Sequence, residues 1–144
     1  MVEQDTIRLL RECDAGVKMG IASISDVLDY VHAEDFKTKL TDCKAAHEKL
    51  DLEISNLLRS YQDDGKEPAM MAKAMSHAKT SVKLAMCDSD ATIADLMTDG
   101  CNMGVKTLNK YLNQYKAADE KSKDITKQLI DLEQRLTFDI QRYL

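Results

Sequence analysis

The chain has 144 residues, of which 44% are hydrophobic and 31% charged, and its net charge of −5 comes from acidic and basic residues that are interspersed. That is chain enough for one domain, 1–144, with a core that needs neither disulfide nor metal. It excludes the clustered basic surface of a nucleic-acid or anionic-membrane binder. A single proline, Pro68, and only five glycines leave few breakers, so long helices are expected.

The opening, MVEQDTIRLLRECD, has no basic stretch leading into an apolar one, so no secretory signal is expected. No run approaches the roughly 18 uninterrupted apolar residues of a membrane span. Cys13, Cys43, Cys87 and Cys101 are far apart and form no CxxC, which suits reduced thiols in a cytoplasm.

The first helix is predicted from Gln4 to Val31, with Asp5 as its cap. Ile7, Leu10, Asp14, Val17, Ile21, Ile24, Leu28 and Val31 recur at steps of three and four and so line one face. The second runs from Asp35 to Tyr61 on Phe36, Leu40, Cys43, His47, Leu50, Ile54, Leu57 and Tyr61. The short link between them makes the two antiparallel neighbours. Gly65 then stops the chain, and Pro68 starts a shorter helix to Met86 on Met71, Met75, Ala78, Val82 and Ala85. After CDSD, with Asp88 or Ser89 as N-cap, a further helix runs from Asp90 to Tyr115. Its stripe is Ile93, Met97, Gly100, Gly104, Leu108, Tyr111 and Tyr115. The last helix runs from Asp119 to the C-terminus on Ile125, Leu129, Leu132, Leu136, Asp139 or Ile140, and Tyr143.

Four long helices fit a four-helix bundle. The shorter helix between the second and third is long enough to travel most of the bundle's length, which favours one long crossover: the ferritin-like, up-down-down-up arrangement. The rival is a five-helix up-and-down array.

The di-metal site of that architecture needs a Glu from each of two helices and Glu-x-x-His from each of the other two. None of His32, His47 and His77 has Glu three positions before it, and the last helix has no histidine. Polar residues nevertheless fall in core positions. Asp14 interrupts the first stripe and His47 the second, one turn after Cys43. Counting residues along the helices puts His47, Cys101 and Glu133 in one layer, with Asp14 one to two turns away. One reading makes Cys43, His47, Cys101 and Glu133 a metal site, for zinc among others. The other makes His47 a hydrogen-bonded core histidine among inert cysteines. Asp14 is read either as part of a polar pocket or as satisfied by a neighbouring Lys or hydroxyl. Gly100 and Gly104 are expected to form an inward notch that receives His47.

Methionines on stripe positions are core. Met70 and Met71 together exceed one narrow face and mark a surface for an unidentified protein partner. Tyr111, Tyr115 and Tyr143 are placed at one bundle end, where they serve a homodimer or close the core.

With the four stripes, MSHAKTSVK and DGCNMGVKTLNKYLNQYKAAD in view, the chain resembles uncharacterised bacterial ferritin-like proteins of anaerobic Gram-positive bacteria. More distantly it is similar to a ferritin-like domain family of unknown function. The resemblance covers most of the chain and is most specific over residues 75–118. In ferritin-like families the third bundle helix presents a ligand glutamate near its middle, where this chain has Gly100 and Cys101. The last helix has Phe138 and Asp139 where a histidine would stand. The resemblance therefore implies the bundle and no activity. The expectation is a non-enzymatic structural or interaction protein without cofactor, with a metal-binding or redox protein as the alternative.

Overall fold

The computed structural model describes residues 2–65 and 89–144. Its helices are α1 (Val2–Leu28), α2 (Glu34–Ser60), α3 (Asp90–Gln114) and α4 (Glu120–Ile140), followed by a 3-10 turn, Gln141–Tyr143. The short helix expected between Pro68 and Met86, with Met70, Met71 and Cys87, lies outside the described residues. Among the described residues no helix is long and apolar enough to cross a membrane.

The stripes become the core as three-and-four spacing requires. Leu10, Val17, Ile24, Leu40, Ile54, Leu129 and Ile140 are all 0–1% exposed. The helix ends depart from expectation in an instructive way. α1 closes at Leu28, three residues before the expected Val31. The chain reverses there, and the His32 and Ala33 amides donate to the Asp90 carboxylate, at 2.8 and 2.9 Å, instead of to helix carbonyls. Asp5 does not cap α1. It lies within the helix, and its carboxylate accepts from the Ala117 amide at 3.0 Å. Beside it the Thr6 hydroxyl accepts from the Asp119 amide at 2.8 Å. One end of the bundle is thus latched by Asp90 and the other by Asp5 and Thr6. Ser89 caps α3 and Asp119 caps α4, each accepting from a backbone amide two or three residues on.

Those latches fix neighbours. The α1–α2 turn lies beside the start of α3, and the start of α1 lies beside the α3–α4 connection. α1 packs along α2, α3 along α4, and α4 also along α1 and α2. The tyrosines are consequently split between the two ends. Tyr111 stacks on Tyr115, whereas Tyr143 stacks on Phe36 with ring centroids 4.5 Å apart. The end of α3 and the end of α4 point opposite ways, so residues late in each cannot share an end.

Gly65 has φ +88°, and a Cβ there would collide with the Asp14 carboxylate, so glycine is required at the exit of α2. Gly100 is different. Among the described residues nothing lies within 4 Å of where its Cβ would be, so it forms no notch with them. Ile93, Met97, Cys101 and Leu108 carry the buried face of α3, and Gly100 falls just off that line. Among the described residues no tertiary contact offsets its helix cost. Gly100→Ala is expected to stabilise the protein by up to about 1 kcal/mol. Urea unfolding checks this.

Candidate functional site

Two separate apolar clusters fill the bundle, and each takes residues from all four helices. One, around the α1–α2 turn, includes Ile24, Cys43, Cys101 and Leu136. The other, toward the opposite end, includes Val17, Leu50, Leu108 and Leu129. Between them each helix contributes one residue that belongs to neither: Gly20, His47, Gly104 and Glu133. A large polar group on α2 and another on α4 are accommodated by glycines on α1 and α3.

His47 is 1% exposed. Its Nδ1 lies 2.8 Å from the Cys43 carbonyl oxygen, which only accepts, so Nδ1 carries a hydrogen and donates. The Cys43 sulfur is 3.5 Å from the same nitrogen. Nε2 lies 3.1 Å from Glu133 Oε1. When Nε2 carries a hydrogen as well, it donates to this oxygen. Burial alone would lower the imidazole's pKa. The hydrogen bonds to Cys43 and Glu133, with the carboxylate's charge, outweigh burial and hold it well above its ordinary 6.5.

The glycine beneath the ring is Gly20. A Cβ there would stand 2.7 Å from His47 Cδ2 and 2.8 Å from Nε2. Gly104 does face inward, but it meets Glu133, whose Cδ is 3.7 Å from its virtual Cβ. The notch that admits His47 is therefore on α1 and not at Gly100 and Gly104. Gly20 lies three residues after Val17 and four before Ile24, and that helical spacing was the available signal for it.

Of the layer expected from residue counting, His47 and Glu133 bond directly, while Cys101 sits in the adjoining apolar cluster with Glu133 and Thr137 beside its thiol. Burial, chiefly, drives the Cys101 thiol above its ordinary range, and burial pushes Cys13, which bonds the Thr126 hydroxyl at 3.1 Å, up to about 12. Neither is disposed to act as a thiolate nucleophile. Cys43 and Glu133 sit against opposite nitrogens of the His47 ring. Among the described residues no group of three or more His, Cys, Asp or Glu side chains is placed to hold a metal ion. Asp14, 1% exposed, accepts from Lys18 Nζ, one turn on, at 2.9 Å.

No protein-family model, curated protein or solved structure matches the chain. The fold itself defines the class: over the described residues the protein is an all-α four-helix bundle.

Proposed function

We propose that this chain is a non-enzymatic structural or interaction protein of the cytoplasm, a ferritin-like bundle of up-down-down-up course that lacks a di-iron site. The observation that carries the reading is the closure of the polar layer on itself. Nδ1 of His47 is committed to a backbone carbonyl and Nε2 to Glu133, so the imidazole has no lone pair left over for a ligand. The proposed course is supported by the latches: Asp90 reaches the α1–α2 turn, and Asp5 and Thr6 reach the α3–α4 connection. Met103 and Phe138, 60% and 70% exposed on α3 and α4, are apolar side chains left to a partner protein or a second copy.

Elemental analysis of protein purified from metal-replete medium tests this, together with melting in the presence and absence of EDTA. The expected result is far less than one equivalent of iron, zinc or manganese per chain, and an unchanged Tm in chelator. One equivalent of metal, lost in His47→Ala, would overturn the reading and establish the site of Cys43, His47, Cys101 and Glu133.

A further inference from the structure

α1 is covered on the side that faces away from the bundle core. Cys13 and Val17 point into an apolar cluster shared by all four helices. Ala15 lies two residues from each, and two residues turn a helix by about 200°, so Ala15 points away from that cluster. It belongs to neither apolar cluster, yet it is only 4% exposed. Glu12, Met19, Ala22 and Asp26 share this outer face at helical spacing, and all are half-buried. Over residues 12–24 no position of α1 is exposed, whereas α2, α3 and α4 each show an exposed residue about once a turn. A helix that is dry all round is enclosed on every side.

The path of the chain as it leaves α2 shows what reaches that side. Asp63 Oδ1 is 3.9 Å from Arg11 Nε, and Gly65 sits against the Asp14 carboxylate. After α2 the chain thus turns back and advances along α1 toward the α1–α2 turn. Beyond residues 66–88 it is at that turn, where Asp90 holds the His32 and Ala33 amides. From Asp14 to Leu28 α1 rises about 21 Å, and even at the short rise of a helix residues 66–88 reach about 34 Å. The cover begins where the chain arrives: Arg8 and Arg11 are exposed and Glu12 is not. The chemistry is complementary. Met71, Met75, Ala78, Val82 and Ala85 recur at steps of three and four, among Lys66, Lys73, Lys79 and Lys83. Opposite them stand Ala15, Met19 and Ala22, with the carboxylates of Glu12 and Asp26 on the same face.

We propose that the outer face of α1, centred on Ala15, Met19 and Ala22, is an internal docking face whose occupant is residues 66–88 of the same chain. α1 is then the enclosed helix of the fold, and a partner protein or a second copy is left the faces of α3 and α4. The inference deepens the up-down-down-up course by naming the face along which its link runs.

The test is N-ethylmaleimide labelling of full-length Ala15→Cys, read peptide by peptide, beside Ser25→Cys, an exposed position on the same helix. Ala15→Cys should label about tenfold or more slowly than Ser25→Cys, at a rate independent of protein concentration. Adding Met71→Lys/Met75→Lys/Val82→Lys should bring its rate to within about threefold of Ser25→Cys. Equal rates for the two single variants would overturn the proposal, and so would protection that survives the three lysines in a folded chain. Protection lost on dilution would also overturn it, since a second copy would then be the occupant. If the lysine variant fails to fold, methyl NMR of the wild-type chain decides. The Met19 methyl should show nuclear Overhauser contacts to methyls of Met71, Met75, Ala78 or Val82, and their absence would overturn the proposal. Either failure leaves the up-down-down-up course standing, because the Asp90, Asp5 and Thr6 latches support that course independently.

Discussion

Gly20→Ala is expected to destabilise the bundle by about 1–3 kcal/mol, the usual cost of forcing an extra carbon into a packed core. Propensity alone predicts the opposite sign, since alanine in a helix interior is favoured over glycine by about 1 kcal/mol. Sterics decide against propensity here. The new Cβ would lie 2.7 and 2.8 Å from two ring atoms of His47, closer than non-bonded carbon contacts allow. A flexible side chain could swing away, but this ring is held at both ends, by the Cys43 carbonyl at 2.8 Å and by Glu133 at 3.1 Å. Gly104→Ala is the matched control. Its Cβ would meet Glu133 at 3.7 Å, an ordinary contact, so the helix preference is retained. Urea unfolding of the two variants should give opposite signs. A Gly20→Ala protein as stable as its parent would mean that the imidazole yields without losing its bonds. Adding His47→Ala to Gly20→Ala should remove the steric penalty and expose the coupling between the two positions.

That contrast marks how far the sequence was legible. Hydrophobic spacing located all four described helices and most of the core, because a face buried against neighbouring helices leaves a three-and-four pattern in the residues. It located the polar layer as well. His47 and Glu133 come together because helices rise a fixed distance per residue, so counting from a shared turn gives the level. Spacing could not say which helix supplies the space that a large side chain fills. Gly100 and Gly104 drew notice as a pair, yet one faces outward and the other faces Glu133. The glycine under the imidazole stands alone on α1. A residue's level follows from local geometry, but its facing partner depends on how the helices are rotated, which no single stripe specifies. The ends of elements were obscured for a related reason. Asp5 and Asp90 spend their carboxylates on backbone amides far away in the chain, and a local capping rule cannot see that.

Removing one partner of the buried pair should cost more than any other single change considered. In Glu133→Leu the imidazole is left 1% exposed with Nε2 lacking its acceptor, and stranding one member of a buried pair typically costs about 3–5 kcal/mol. His47→Leu should cost less, because the Glu133 side chain is 12% exposed and its carboxylate can recover water. The double leucine variant should recover much of what Glu133→Leu loses, since apolar replacement of a whole buried pair is often neutral or stabilising. The pH dependence separates a charged pair from mere packing. The folded chain holds the His47 proton more tightly than the unfolded chain, whose imidazole titrates near 6.5, and the folded value is raised to about 10. The pair's contribution is therefore complete below pH 6.5 and is lost as pH climbs from there through about 10. Urea unfolding at pH 6, 8 and 10 should show wild-type stability declining over that interval, with the same interval nearly flat in His47→Leu once other groups are subtracted. Parallel profiles for the two proteins would mean that the folded imidazole is neutral and that the layer is held by an uncharged hydrogen bond.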